Sequence, residues 1–285
     1  MFSFLKTELI TRKKFKLKKI NTNIEKIIDK KYIEDLNLIV KGILIVDQKI
    51  YISYLRNDNE CYSNAILVGN LSTKKINFSP FFKLEECKNR FNLSTGGNMQ
   101  NFKNNKILLT VGDYESYEML KYKETFENDP QNKNSYYGKI LSIDLTTKKV
   151  DILSMGHRNP QGLYYDSKED IIFLTEHGPQ GGDEINVNIN PKKNMIKNYG
   201  WAISSYGEHY GHDDGHSERI NHEELADIAL SSTLDQAAPL NKSHKKYGFE
   251  EPIKYFTPSI GITQILKVNN SINSDYKLLV GSMGY

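Results

Sequence analysis

The chain has 285 residues, a formal net charge of +3 and 38% hydrophobic residues. That is enough for one large domain or two small ones, at about 100–200 residues per domain, with apolar side chains to fill a core. No stretch approaches the roughly 18 consecutive apolar residues of a membrane helix. The Lys-dominated positive charge is too dispersed to track a phosphate backbone, and two Cys exclude a disulfide-dense scaffold or a Cys-rich zinc module.

In chain order, residues 1–20 place an apolar start ahead of a basic run. A secretory leader has the reverse order, charges first and then 7–15 apolar residues, so no export signal is read here. The alternation of basic and apolar residues from Lys13 to Lys19 reads as a solvated strand or tail. Strand-sized apolar runs follow at Leu38 to Val46, Ile50 to Leu55, Ile107 to Val111, Ile140 to Leu145, Ile171 to Thr175, Ile262 to Val268 and Leu278 to Val280. Three hairpins are predicted: Leu38–Val46 with Ile50–Leu55, Lys139–Leu145 with Val150–Leu153, and Leu163–Tyr165 with Ile171–Thr175. Asn101 to Asn105 and Asp129 to Asn134 read as loops, and Asn221 to Leu230 as one short helix. Many strands on short turns predict a sandwich, barrel or propeller. No Pro/Gly linker divides the chain, which predicts a single domain.

Residues 156–201 are denser in Gly, Pro, His and acidic residues than the rest. Arg158-Asn159-Pro160-Gln161-Gly162 reads as a polar turn entering a strand, its Arg a rigid fork of donors for carboxylate or carbonyl oxygens. Glu176 to Glu184 (EHGPQGGDE) follows the next strand. Its glycines permit unusual backbone angles. A loop of this kind can turn carbonyls inward, and carbonyls with carboxylates are the ligand set of a hard cation such as calcium. The plainer reading is a tight loop in which Asp183 and Glu184 cap backbone amides.

The order HRNPQGL, EHGPQGGDEIN and NYGW resembles the pyrroloquinoline-quinone-dependent sugar dehydrogenases, the soluble glucose, aldose sugar and sorbosone dehydrogenase family. Weaker similarity covers Leu109 to Asp113, Gly138 to Asp144, Tyr255 to Ile260 and Leu278 to Met283. The resemblance implies an all-β, six-bladed β-propeller of the soluble quinoprotein glucose dehydrogenase type over residues 31–285, with residues 1–30 as a basic segment or first strand. It implies hydride transfer from a sugar C1 hydroxyl to pyrroloquinoline quinone, assisted by calcium. Arg158 would polarise the quinone, Asn159 and His177 would contact it, and Asp183 would support the loop. The main-chain carbonyls of Gly178 and Pro179 would hold calcium. Members usually work outside the cytoplasm. Calcium and a guanidinium together stabilise negative charge on a quinone oxygen.

Three positions depart from the family. Its general base is a His before a strand ending in Gly-Asp; here Ser94 takes that place and Asn98 replaces an Arg. All seven His lie at or after 157, and serine needs an activator to act as a base near neutral pH. Gly284 stands where the family places a cofactor-contacting Lys, and the final blade reads as incomplete. These departures support a second reading, a non-catalytic propeller that binds a sugar, glycan or protein.

His209, His212 and His216 with Glu208, Asp213 and Asp214 form a candidate transition-metal cluster or a polar loop. Trp201 is expected to pack between blades, with substrate stacking as the alternative. Cys61 and Cys87 can pair or stay free; outside any reactive motif they read as buried or free thiols.

Overall fold

The computed structural model describes residues 19–28, 39–89, 94–114, 129–179, 181–207, 244–268 and 277–283. They are mostly β-strand. The first sheet contains β2 (Val40–Val46), β3 (Lys49–Asp58), β4 (Cys61–Asn70) and β6 (Ser79–Lys83), in that order. Beside it, β1 (Asn21–Thr22) pairs in parallel with β5 (Lys75–Ile76). The second sheet runs β7 (Gly96–Phe102), β8 (Lys106–Val111), β9 (Lys139–Asp144), β10 (Val150–Met155) and the short β14 (Lys197–Asn198). The third runs β11 (Asn159–Asp166), β12 (Ile171–His177), β13 (Asp183–Ile189) and β15 (Lys254–Phe256). A two-stranded sheet of β16 (Ile262–Val268) and β17 (Lys277–Ser282) follows.

The first strands of these four sheets, β2, β7, β11 and β16, lie side by side. Each sheet then steps outward by antiparallel neighbours, with β14 added in parallel at the end of the second, the arrangement of consecutive propeller blades. The described residues form this arc of four sheets; the six-bladed expectation extends beyond them. All three predicted hairpins form, as β2–β3, β9–β10 and β11–β12.

The two-residue period of a strand explains how the sheets stack. Successive side chains point to opposite faces, so each inner blade serves two cores. On β8, Ile107, Leu109 and Val111 face the core shared with the first sheet, whereas Leu108 faces the core shared with the third. On β12, Ile172 and Leu174 join the second-sheet side, and Phe173 turns to Ile262 and Ile265 of β16. With both faces covered, β8 reads as the continuous apolar run Lys106-Ile-Leu-Leu-Thr-Val111 rather than an alternating one.

Three expectations change. Cys61 and Cys87 form a disulfide, with Cα atoms 5.1 Å apart. They are not free thiols; the hairpin antiparallel pairing and the Tyr62–Lys88 bridge bring the two segments together. Asn101 and Phe102 belong to β7, so only the rest of the Asn-rich run turns. Arg158-Asn159-Pro160-Gln161-Gly162 is mostly strand, because β11 starts at Asn159. The predicted helix at Asn221 to Leu230, the His209–His216 cluster and Gly284 lie outside the described residues. Among the described residues no helix is long and apolar enough to cross a membrane.

Candidate functional site

The β11–β12 register joins the two informative motifs. Asn159 pairs with His177 and Pro160 with Glu176. Arg158, one residue before β11, therefore sits beside the loop that leaves β12. Its guanidinium Nη1 donates to the Gly178 carbonyl at 2.9 Å and reaches the His177 carbonyl at 3.4 Å. Arg158 is buried, and its Cζ lies 5.6 Å from the centre of the Trp201 ring, a distance suited to cation–π attraction.

The loop is built around a close backbone approach. A Cβ on Gly178 would lie 2.2 Å from the Gly181 carbonyl oxygen and 2.4 Å from that of Gly182. Gly182 has φ +70°, and a Cβ there would meet the Gly207 nitrogen at 2.2 Å, so glycine is required at both. Asp183 holds the loop from below. Its Oδ1 accepts from the Gly178 amide at 3.2 Å, and its Oδ2 accepts from the amides of Ile260 and Ile262 at 3.1 and 3.0 Å. This is the amide capping and loop support expected of Asp183, and it also ties the third sheet to the fourth. Burial lowers the His177 pKa, partly opposed by Asp183.

The donor chemistry can be tested against calcium. Hard cations take oxygens at about 2.3–2.6 Å, and this loop is rich in converging carbonyls. The Gly178 carbonyl already faces a cationic guanidinium. By donor chemistry alone, main-chain oxygens of this kind are the class a hard cation takes. Among the described residues no group of three or more His, Cys, Asp or Glu is placed to hold a metal, so any such site relies on main-chain oxygens.

Ser94 is buried and donates through Oγ to Asp113 Oδ1 at 2.7 Å, with the Arg158 carbonyl at 3.3 Å. Asp113 is fully buried. Its Oδ2 accepts from Trp201 Nε1 at 2.7 Å, and its amide donates to the Arg158 carbonyl at 2.8 Å. Asn98 donates to the Gln161 carbonyl at 2.8 Å and so braces the segment after Arg158.

Behind Arg158 runs a buried polar chain. Ser154 Oγ meets His157 Nε2 at 2.8 Å, and His157 Nδ1 meets Glu176 Oε1 at 3.0 Å. Glu176 also accepts from the Arg158 amide at 2.9 Å and from Asn186 Nδ2 at 2.7 Å. The same Asn186 nitrogen donates to Glu184 at 3.0 Å, and Glu184 Oε1 meets His244 Nε2 at 3.0 Å. Ser204 Oγ bonds His244 Nδ1. The two carboxylates differ. Burial pushes against ionisation of Glu176, but His157 and the donated hydrogen bonds outweigh it and hold its pKa low. Burial prevails at Glu184 and raises its pKa. At His244, burial opposes the charge, yet the Glu184 carboxylate raises the pKa.

Arg158, His177, Gly178 and Pro179 line one cavity of about 10 Å³ with Glu176, Glu184 and other residues, room for about one water. Asp183 supports it from outside. Asn159 stands apart: its Oδ1 accepts from the Gly96 amide at 3.2 Å and from Gln161 Nε2 at 2.8 Å. Trp201 is buried, donates to Asp113 and lines the same cavity. Sequence reasoning quoted Asp113 and Glu176 inside motifs without assigning them a role. It missed His157, Glu184 as a His partner, Asn186 and His244. His244 is 60 positions from Glu184, and no local pattern could have marked it.

A family model for Glucose / Sorbosone dehydrogenase matches residues 36–285. Aldose sugar dehydrogenase YliI of Escherichia coli (strain K12) is 45% identical over 62 residues, 22% of this chain and 15% of that protein. Quinoprotein glucose dehydrogenase B of Acinetobacter calcoaceticus is 26% identical over 145 residues, 45% of this chain and 29% of that one. The matched segments thus span under a third of either curated relative. A glucose dehydrogenase crystal structure superposes with a TM-score of 0.61 at 20% identity, covering 86% of this chain and 66% of that one. The apo soluble aldose sugar dehydrogenase of Escherichia coli gives 0.56 at 21% identity, covering 83% and 62%. These two likenesses carry the propeller-type fold, and the family match carries the kinship: the chain belongs to the glucose/sorbosone dehydrogenase family.

Proposed function

We propose that this protein is a quinoprotein sugar dehydrogenase, oxidising the C1 hydroxyl of an aldose with pyrroloquinoline quinone as hydride acceptor. The observation that carries this reading is the pairing of the buried Arg158 guanidinium with the Gly178 carbonyl. It joins the two motifs that carry the family resemblance in one cationic, carbonyl-lined place.

Arg158, Asn159 and His177 would contact the quinone, Asp183 would support the loop beside it, and the carbonyls of Gly178 and Pro179 would hold calcium. When bound, the quinone supplies the two-electron acceptor and calcium supplies positive charge beside it. The chain's own residues do the rest. Arg158 presents a fixed donor, held by the Gly178 carbonyl and the Trp201 ring, and such preorganised charge costs no reorganisation during reaction. Asp183 keeps the loop carbonyls in place through three amides. His177, whose protonation is opposed by burial, stays neutral down to lower pH than a free histidine. Ser94 Oγ donates a hydrogen bond to Asp113, which fixes its hydroxyl beside the Arg158 carbonyl.

Titration of the purified chain with pyrroloquinoline quinone, with and without calcium, tests this, with dye reduction over a sugar panel in the same samples. Calcium-dependent binding with reduction is expected. A folded chain that binds neither would overturn it. The second reading, a non-catalytic propeller binding a sugar, glycan or protein, draws on one observation: Ser94 stands where the family's base is expected, buried and engaged with Asp113. Binding of the quinone without turnover on any sugar would favour it.

A further inference from the structure

We infer that Glu176 is a positioning residue for Arg158, and that Asn186, Glu184 and His244 form the buried support that keeps Glu176 in place. The inference rests on the reading of Arg158 as the cofactor-facing cation, but its first test does not need the cofactor.

Three features carry it. First, Glu176 touches Arg158 itself: Oε2 accepts the Arg158 amide at 2.9 Å, one bond from the Cα that aims the guanidinium. Secondly, the sheet does not need this carboxylate. Glu176 pairs with Glu184 through the β12–β13 ladder, whose pairings continue from Ile171–Ile189 without a break. Burying two carboxylates opposite one another in a sheet is costly, and apolar residues of similar size are often neutral or better. Thirdly, each carboxylate is satisfied in a way that fixes it. Glu176 takes three donors, from His157, Arg158 and Asn186. Glu184 shares the Asn186 nitrogen and is matched by His244. Asn186 is fully buried and bridges the two. A carboxylate with two or three fixed donors has little rotational freedom, so the amide it accepts is fixed as well.

The outcome concerns where the guanidinium points. Trp201 is the only tryptophan of the chain, and its ring lies 5.6 Å from Arg158 Cζ. Its fluorescence therefore reports the guanidinium directly. Four proteins are compared at neutral pH: wild type, Glu176→Gln, Arg158→Met, and the double variant. Glu176→Gln is expected to shift the emission and its quenching by iodide in the direction of Arg158→Met, and to add nothing in the Arg158→Met background. A shift that persists undiminished in the double variant would overturn the inference, because Glu176 would then act on Trp201 without Arg158. No shift in folded Glu176→Gln would overturn it too. Ser154→Ala serves as the packing control, since it removes a partner of His157 and leaves the Arg158 amide bond; a shift as large as that of Glu176→Gln would sink the assignment. If Glu176→Gln does not fold, Glu184→Gln replaces it, with a smaller shift of the same sign expected and an unchanged spectrum counting against the proposed support.

The second readout is quinone affinity by absorbance, where loss of a residue supporting a ligand-contacting group is expected to weaken binding by about 10-fold. A wild-type chain that binds no quinone removes the proposed function and leaves the fluorescence test standing. A wild type that binds, with Glu176→Gln binding equally well, removes the positioning role and leaves the function standing.

Discussion

The two sides of the site are built by the same device and differ in chemistry. On one side, the β11–β12 hairpin brings Arg158 to Gly178, with Asp183 and Glu176 behind them. On the other, the β7–β8 hairpin brings Ser94 to Asp113, with Trp201 behind them. Each side has a buried carboxylate holding the group in front of it. The first presents a permanent cation. The second presents a hydroxyl, which cannot take and keep a proton at neutral pH. The lesson is that one device, a hairpin end closed over a buried carboxylate, can hold groups of quite different chemistry. The Ser94–Asp113 bond is 2.7 Å long.

The largest expected effect comes from changing the second side. Ser94→His places an imidazole next to Asp113, and under the dehydrogenase reading dye reduction should rise by about 10²–10⁴-fold, the worth of a general base. A folded variant with full quinone binding and no gain would show that the second side has lost more than its base. Arg158→Ala removes the first side's cation, with an expected fall of about 10²–10³-fold in turnover, the scale for loss of one preorganised donor. Rates equal to wild type would take Arg158 out of the reaction.

A third variant concerns the loop itself. Gly178→Ala puts a Cβ against two carbonyl oxygens at 2.2 and 2.4 Å, so the loop must shift. The expected cost is about 1–3 kcal/mol by denaturant unfolding, together with weaker calcium dependence of quinone binding. The corresponding change on the second side, Asp113→Asn, keeps the shape but turns one of two engaged acceptor oxygens into a donor facing Ser94 Oγ or Trp201 Nε1, and is expected to shift the Trp201 emission.

The smallest effect is a pH trend. The raised pKa of His244 means that the folded state binds its proton more tightly than the unfolded chain does. The resulting stability is fully present below the unfolded value of about 6.5 and is lost as pH rises through the folded value. The stability difference between wild type and His244→Gln should therefore be largest below about pH 6 and shrink in alkaline buffer. A difference that grows with pH would contradict the Glu184–His244 pairing. The raised pKa of Glu184 works in the same direction, favouring the protonated folded state as pH falls.

Local patterns carried a good part of this architecture. Strands with covered faces, such as β8 and β9, were readable as apolar runs. The strands that escaped include β4 (Cys61–Asn70), β7 (GGNMQNF) and β13 (DEINVNI). Their buried positions include Asn98, Asn186 and Asn188, whose polarity is satisfied by neighbours from other blades. A periodicity argument counts apolar residues and misses a strand buried through hydrogen bonds.

The site divides in the same way. Arg158, His177, Gly178, Pro179 and Asp183 stood out because motif chemistry is local: a glycine-rich loop and an arginine fork announce themselves in a few residues. Cys61 and Cys87 did not reveal their bond, because two cysteines 26 positions apart carry no information about the distance between them. Asp113 meeting Trp201, and Glu184 meeting His244, join positions 88 and 60 apart. By itself the amino-acid sequence determined the strand content, the hairpins and the two motifs, since these follow from side-chain alternation, turn residues and short spacings. Only the tertiary structure decided which buried carboxylate faces which partner. A carboxylate's charge state depends on the donors and burial that distant segments bring to it, and these exist only once the blades have packed.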